Sequence, residues 1–153
     1  MWFARVGRRA GGPWIWIGSL YVFDTDVLSG LLKGRLPAAA AKRIGALPRE
    51  KRHTTAITIG ELSYGALRSS ITTRWLAAID ALLPEFTCLD FDAESARRYG
   101  EIRAFLERAG RRLDDPDLRI AAICAAKDQI LISGIERHFA RVPGLRYENW
   151  LHL

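Results

Sequence analysis

Three acidic residues occupy similar positions relative to the predicted strands and helices. Asp24 directly follows the apolar run Tyr21-Val22-Phe23, which is typical of a buried strand, and an apolar helical pattern begins at Val27. Glu61 lies in the first turn of the helix after the second predicted strand, and Asp117 in the first turn of the helix before the fourth. Because the carboxyl ends of parallel strands meet at one edge of a sheet, we expect the three carboxylates to lie close together.

Such a cluster has a definite chemistry. Neighbouring carboxylates cannot all be ionised without a counterion, because their charges repel one another. Oxygen ligands without His or Cys suit Mg²⁺ or Mn²⁺, and these ions activate water for the hydrolysis of phosphodiester bonds. Asp24, Glu61 and Asp117 are therefore the candidate metal ligands and catalytic residues.

Each acidic position also has a purely structural interpretation. Thr25 or Asp26 fits an N-cap of the helix that follows Asp24. The segment Thr58-Ile59-Gly60-Glu61 fits a capping box, and Asp115-Pro116-Asp117 fits a cap, an early helical proline and an acid favoured by the helix dipole. From the residues alone, both interpretations stay open.

The remaining pattern alternates short strands with helices, which indicates a single α/β domain with a short parallel sheet covered by helices. We predict strands at 21–23, 54–57, 86–89, 129–132 and 145–147, and helices at 27–33, 37–47, 58–67, 72–83, 93–109 and 115–126.

The amino-acid composition restricts the possible functions only weakly. The chain has 153 residues, 49% of them apolar, which suits one folded domain. Its formal charge of +6 favours an anionic partner such as nucleic acid, but Arg5, Arg8 and Arg9 supply half of it. Cys88 and Cys124 have no metal-ligand spacing, so we expect two free, buried thiols in a reducing cytoplasm.

Residues 1–20 differ in composition from the rest and are predicted to be an N-terminal extension, with the domain at 21–153. The segment is basic and Gly-rich, and its apolar part is too short to span a bilayer. It also lacks a clear signal-peptide cleavage pattern. A start codon assigned too far upstream is the better explanation, with the true start near Leu20.

Five motifs together resemble the PIN-domain ribonucleases, and within them the VapC toxins of toxin–antitoxin pairs. The motifs are Tyr21-Val-Phe-Asp-Thr-Asp-Val-Leu-Ser29, Ile57-Thr-Ile-Gly-Glu-Leu-Ser-Tyr-Gly-Ala66, Tyr99-Gly-Glu-Ile-Arg-Ala104, Asp117-Leu-Arg-Ile-Ala-Ala122 and His138-Phe-Ala-Arg-Val-Pro-Gly-Leu145 with Glu148-Asn-Trp-Leu151. The resemblance implies a PIN-like fold and a Mg²⁺- or Mn²⁺-dependent endoribonuclease that cleaves structured RNA, by family precedent tRNA or rRNA.

The resemblance also implies site residues and partners. Asp24, Glu61 and Asp117 would be the metal-binding catalytic acids, with Thr25 and Thr58 as polar supports. The implied partners are a cognate antitoxin, whose tail would insert a basic side chain between the carboxylates, and a second copy of the chain in a homodimer. No membrane association is expected.

The sequence departs from the family pattern at two places. Asp26 stands where the family usually has Asn. After the fourth strand, Ser133 can replace the usual Thr, but Ile135 stands where a fourth polar metal-site residue is usual, and Glu136 comes one position too late. The alternative function is therefore a catalytically weak PIN domain that acts as an antitoxin-binding, operon-regulating module.

Several other residues have ordinary structural interpretations. We expect His53, His138 and His152 to be surface or packing residues, and Tyr64 and Leu67 to be packing residues. A group of basic side chains either lines an RNA path or forms solvated surface: Arg49, Lys51, Arg52, Arg111 and Arg112.

Overall fold

The computed structural model of the protein describes residues 18–152. Five strands and seven α-helices follow one another along the chain. They are β1 (Tyr21–Phe23), α1 (Thr25–Leu32), α2 (Ala38–Ala46), β2 (Arg52–Thr55), α3 (Ala56–Leu67), α4 (Thr72–Leu82), β3 (Thr87–Leu89), α5 (Ala93–Arg108), α6 (Asp115–Ala126), β4 (Ile130–Ile132), α7 (Glu136–Phe139) and β5 (Arg146–Glu148).

The five strands form one parallel sheet in the order β3-β2-β1-β4-β5. In the register, Phe23 of β1 lies beside Ile132 of β4, and Val22 lies beside His53 of β2. Because β1 is the central strand, the residue that follows it emerges in the middle of the carboxyl edge of the sheet. The predicted α/β class is thus confirmed, and the strand order places Asp24 at that point.

Helices cover both faces of the sheet, so there is a hydrophobic core on each face. Because side chains alternate along β1, this strand contributes to both cores. Tyr21 and Phe23 belong to one core, which also contains residues of α1 to α4. Val22 belongs to the other core, which α5 and α6 cover. All three side chains of β1 are at most 1% exposed. Burial on both faces explains why this strand is uniformly apolar.

The second strand lies two residues earlier than predicted. β2 begins at Arg52, and α3 begins at Ala56. Thr55 is the N-cap of α3, since its hydroxyl accepts a hydrogen bond from the backbone N–H of Thr58 at 3.1 Å. The predicted capping box is therefore wrong, and Glu61 lies in the second turn of α3. The start of β2 was not predicted as a strand because its first residue is basic. In the fold, the guanidinium group of Arg52 donates a hydrogen bond to the backbone oxygen of Leu47 at 2.7 Å.

The two cysteines have different environments. Cys124 is fully buried, as expected, but Cys88 is exposed, so the prediction of a second buried thiol is wrong. The reason is the topology, because β3 is an edge strand of the sheet. Within residues 18–152, no helix is both long and apolar enough to cross a membrane.

The predictions for the N-terminal extension fall mostly on residues 1–17, outside the described part of the chain. Leu20 is joined to the domain by two hydrogen bonds. Its backbone N–H donates to the side-chain oxygen of Gln129 at 2.9 Å, and its carbonyl accepts from the N–H of Ile130 at 3.1 Å. Ser19 is buried as well. The ordered contacts of the domain therefore include the two residues before β1.

Candidate active site

Asp24 is the most buried of the three candidate acids, with 3% of its surface exposed. It is the N-cap of α1, because its Oδ1 atom accepts a hydrogen bond from the backbone N–H of Val27 at 2.9 Å. The expectation that Thr25 or Asp26 caps this helix is therefore wrong. The side chain of Ser133, which follows β4, forms a second hydrogen bond to Asp24. These contacts hold the carboxylate at the centre of the sheet edge.

The electrostatic environment of Asp24 favours a nearby cation. The pKa of Asp24 is raised to about 7, chiefly by burial, and the negative charges of Asp26 and Asp117 act in the same direction. The hydrogen bonds from Ser133 and Val27 act in the opposite direction and favour the ionised carboxylate. A cation beside Asp24 would favour ionisation and relieve the repulsion among the three acids.

Glu61 is held beside the start of α1 by a hydrogen bond from the hydroxyl of Thr25 to its carboxylate. The Thr25 hydroxyl oxygen also lies 3.4 Å from that of Thr58, which in turn lies 3.2 Å from the hydroxyl of Thr55. Thr25 directly follows Asp24, so this chain of hydroxyl groups links the second candidate acid to the residue next to the first.

Asp117 lies in the first turn of α6, and its Oδ2 atom is 2.9 Å from Nδ1 of His138 in α7. The prediction that His138 is only a surface or packing residue missed this contact. The two residues are 21 positions apart, and α7 is too short to show a helical hydrophobic pattern. The sequence therefore carried no signal that pairs them.

The segment that follows β4 contributes the hydroxyl group of Ser133 to the site. Ser133 is 1% exposed, and its hydroxyl accepts a hydrogen bond from the N–H of Ile135 at 3.0 Å. Gly134 lies against Asp26, since a Cβ atom on this glycine would be 3.1 Å from the Asp26 Oδ2 atom and 2.5 Å from a methyl group of Leu151. A larger residue at this position would therefore displace the side chain of Leu151 and press on the carboxylate of Asp26.

The donor set fits a hard divalent ion in its chemistry. Asp24 and Asp117 interact electrostatically, and Glu61 is joined to the same region through Thr25. Across residues 18–152, however, no three side chains of the types His, Cys, Asp and Glu are grouped closely enough to hold one ion. The structure therefore places Asp24 and Asp117 within electrostatic reach of each other, whereas Glu61 is bonded to the hydroxyl of Thr25 and the expected close cluster of three is not formed among the described residues.

A cavity of about 340 Å³ opens beside Glu61. Helices α1, α3 and α4 form its walls. Its lining combines apolar residues with the polar or charged residues Thr25, Glu61 and Lys33. The remaining lining residues are Ser29, Leu32, Leu62, Gly65, Ala66, Ser69, Trp75 and Ile79.

Two other groups of predicted residues lie away from the acids. Arg49 and Arg52 donate hydrogen bonds to the backbone oxygens of Pro84 and Leu47, so both side chains join parts of the domain. Arg111 and Arg112 are exposed.

Tyr64 and Leu67 are 61% and 63% exposed, so the prediction that they are packing residues of the domain is wrong. Together with Ile71 they form an exposed apolar strip at the α3–α4 connection.

A short parallel sheet with acidic residues at the carboxyl end of its central strand is the arrangement of a PIN domain. The family model described as PIN domain matches residues 21–145, and the chain belongs to this family. Within the family it is a VapC-type chain. It is 34% identical over 131 residues to Ribonuclease VapC2 of Haemophilus influenzae, covering 86% of this chain and 98% of the relative. It is 35% identical over 130 residues to the tRNA(fMet)-specific endonuclease VapC of Shigella flexneri, covering 85% and 97%.

Solved structures agree with the sequence relatives. A VapBC complex of Salmonella typhimurium, solved with DNA, contains a chain that superposes with a TM-score of 0.81 at 30% identity, covering 86% of this chain and 98% of that one. VapBC2 of Rickettsia felis, bound to a DNA fragment from its promoter, gives a TM-score of 0.80 at 26% identity with the same coverage. The family resemblance seen in the sequence motifs is thereby confirmed.

Proposed function

We propose that the protein is the toxin of a toxin–antitoxin pair and that it hydrolyses RNA phosphodiester bonds with the help of Mg²⁺ or Mn²⁺. The observation that carries the proposal is the position of Asp24. A carboxylate 3% exposed, with Asp26 and Asp117 as electrostatic neighbours, is stabilised as an anion by a cation beside it. The family to which the chain belongs contains ribonucleases, which matches a site of this kind.

The proposed metal ligands are Asp24, Glu61 and Asp117. A bound divalent ion would supply electrostatic activation of the scissile phosphate and of water. The protein orients each acid through a separate partner: Ser133 and the N–H of Val27 hold Asp24, Thr25 holds Glu61, and His138 holds Asp117.

The proposed substrate is structured RNA, with tRNA favoured over rRNA. The relatives from Shigella flexneri and Salmonella typhimurium, at 35% and 34% identity, carry the name tRNA(fMet)-specific endonuclease. The excess of basic over acidic residues provides long-range attraction to the RNA backbone.

The proposed partners are an antitoxin and a second copy of the chain, and the proposed location is the cytoplasm. The cavity beside Glu61 is lined by apolar residues and by this acid, which suits an antitoxin segment that carries both apolar and basic side chains. The exposed strip of Tyr64, Leu67 and Ile71 suits a homodimer contact, because apolar surface is stabilised by being covered.

A second candidate function is an antitoxin-binding module with little catalysis. Two observations favour it: Ile135 occupies the usual position of a fourth polar residue, and the acids within residues 18–152 form no group of three at metal-binding distance. Such a module needs the cavity but has no need for an ion.

Cleavage of purified tRNA by the full chain separates the two candidates. With Mg²⁺ or Mn²⁺ the wild type should cut, and with EDTA it should not. Glu61→Gln, which removes ligand charge and keeps the shape, should abolish cutting, whereas Glu50→Gln, a change at an exposed surface position, should not. Cutting that persists in EDTA, or in Glu61→Gln at the wild-type rate, would overturn the proposed site. Absence of cutting together with antitoxin binding would favour the module.

A further inference from the structure

We infer that His138 is a positioning residue that orients the Asp117 carboxylate for ion binding. This inference rests on the proposed function. The imidazole Nδ1 atom lies 2.9 Å from Oδ2 of Asp117, within hydrogen-bonding distance. An ionised carboxylate only accepts hydrogen bonds, so the proton of this bond belongs to Nδ1 of His138.

The contact is partly shielded from water. The side chain of His138 is 26% exposed and that of Asp117 is 23% exposed. A hydrogen bond to a charged group in such an environment is stronger than a bond between two fully solvated side chains. The hydrogen bond between His138 and Asp117 therefore restricts the rotation of the Asp117 carboxylate.

The rest of the fold fixes the position of the imidazole. The next residue, Phe139, is 0% exposed and belongs to the core beneath α5 and α6. The short helix α7 is closed by a hydrogen bond from the N–H of Ala140 to the carbonyl of Glu136 at 2.8 Å. His138 is thus carried by an anchored segment, and its bond to Asp117 joins that segment to the first turn of α6.

One carboxylate oxygen of Asp117 therefore accepts the hydrogen bond from His138, and the other carboxylate oxygen is available to a ligand. A carboxylate that is already oriented loses less conformational freedom when it binds an ion than one that rotates freely. Partners that orient metal ligands in this way typically contribute about 10- to 100-fold in metal affinity or activity.

The test is a calorimetric titration of the purified full chain with Mn²⁺. His138→Leu removes the donor and keeps an apolar side chain of comparable size, whereas His138→Asn places an amide N–H near the position of Nδ1. His152→Asn is the matched control at an exposed histidine. We expect His138→Leu to bind Mn²⁺ about 10- to 100-fold more weakly. His138→Asn and His152→Asn should stay within about 3-fold of the wild type, since both keep the donor to Asp117.

The results separate the inference from the proposal on which it rests. If the wild type binds no Mn²⁺, both are overturned. If the wild type binds and His138→Leu binds equally well, only the inference is overturned. If His138→Asn is as weak as His138→Leu, the imidazole itself is needed and a positioning role through Nδ1 is refuted. Melting temperatures verify folding, and His138→Ala replaces the Leu variant if leucine disturbs the fold.

A kinetic measurement adds a second readout. An orienting role predicts that His138→Leu needs about 10- to 100-fold more Mn²⁺ for half-maximal cleavage and leaves the KM for tRNA at saturating Mn²⁺ unchanged, because the RNA contacts are intact. A rise in KM with unchanged kcat would instead place His138 in RNA binding and would contradict the inference.

Discussion

The hydroxyl group of Thr25 donates a hydrogen bond to the carboxylate of Glu61, which ties the first turn of α1 to the second turn of α3. Asp24 caps the same end of α1. The start of one helix therefore positions two of the three candidate metal ligands, one through its own backbone and one through a neighbouring hydroxyl.

Replacing Thr25 with Val tests this link. Valine keeps the branched shape but has no hydroxyl, so Glu61 loses its partner and gains freedom to rotate. We expect tRNA cleavage to fall about 10-fold or more, as for other partners that orient metal ligands. Thr25→Ser keeps the hydroxyl and should cleave at close to the wild-type rate. Equal rates for the Val and Ser variants would show that the bond has no part in the activity.

The raised pKa of Asp24 predicts how stability depends on pH. The pKa of Asp24 is about 7 in the folded protein and near the ordinary aspartate value of 3.8 when the chain is unfolded. Between these values the folded state binds more protons, so the free energy of unfolding should fall as pH rises from about 4 to about 7. The loss should be on the order of 4 kcal/mol at most, since each pKa unit corresponds to about 1.4 kcal/mol.

Urea denaturation at pH 5 and pH 8 in EDTA measures this effect. Asp24→Asn keeps an acceptor for the N–H of Val27 but carries no charge. It should be more stable than the wild type at pH 8 and lose that advantage at pH 5. Because the prediction concerns the difference between the two proteins, the buried His53, whose pKa is lowered by desolvation, contributes equally to both. If the difference between the two free energies of unfolding is the same at pH 5 and pH 8, the pKa of Asp24 is not raised in the folded protein.

Trp150 joins three parts of the domain. Its ring lies 5.3 Å from that of Tyr21 and 5.6 Å from that of Phe23, between centroids, and the guanidinium carbon of Arg43 lies 3.8 Å from its centre. Its Nε1–H donates to Glu148 at 2.7 Å. Trp150→Phe should therefore lower the free energy of unfolding by about 1–3 kcal/mol through lost volume and a lost hydrogen bond.

The matched control is Trp75→Phe, because Trp75 borders the cavity beside Glu61 and is only partly buried. Urea denaturation should give a smaller change for Trp75→Phe than for Trp150→Phe. The reverse order would show that the contacts of Trp150 with Arg43 and Glu148 contribute little to stability.

Ile135 marks a position at which a polar residue should help. It is the N-cap of α7, and its own N–H already donates to Ser133. Asparagine at this position supplies the oxygen that a helix N-cap prefers and a polar group near the acids. Ile135→Asn should raise cleavage at low Mg²⁺, and Glu136→Gln should lower cleavage only if Glu136 has taken over the role. Cleavage curves against Mg²⁺ that coincide for all three proteins would refute any influence of this position.

The sequence was most informative where local pattern and topology agree. The apolar run of β1 predicted a strand buried on both faces, and the parallel order then brought Asp24, Glu61 and Asp117 to one edge. The start of β2 was missed because Arg52 and His53 are polar, although one is held by backbone oxygens and the other is buried. The capping box failed for the same reason, since a strand ending at Thr55 makes that residue the cap.

Contacts between distant residues could not be predicted from the sequence. The bond between Asp117 and His138 depends on where α7 packs, and the exposure of Tyr64 and Leu67 depends on which face of α3 the sheet covers. A helical pattern shows that a face is apolar, but it does not show whether the domain itself covers that face.

The central claim is that Asp24, Glu61 and Asp117 hold one divalent ion. Calorimetric titration with Mn²⁺ of the wild type, Asp24→Asn, Glu61→Gln and Asp117→Asn tests it most directly, with Asp114→Asn as the control at an exposed carboxylate on the same helix. The wild type and Asp114→Asn should bind one Mn²⁺ per chain, and the three site variants should lose binding while remaining folded. Wild-type affinity in Asp117→Asn, or equal losses in Asp117→Asn and Asp114→Asn, would contradict the account.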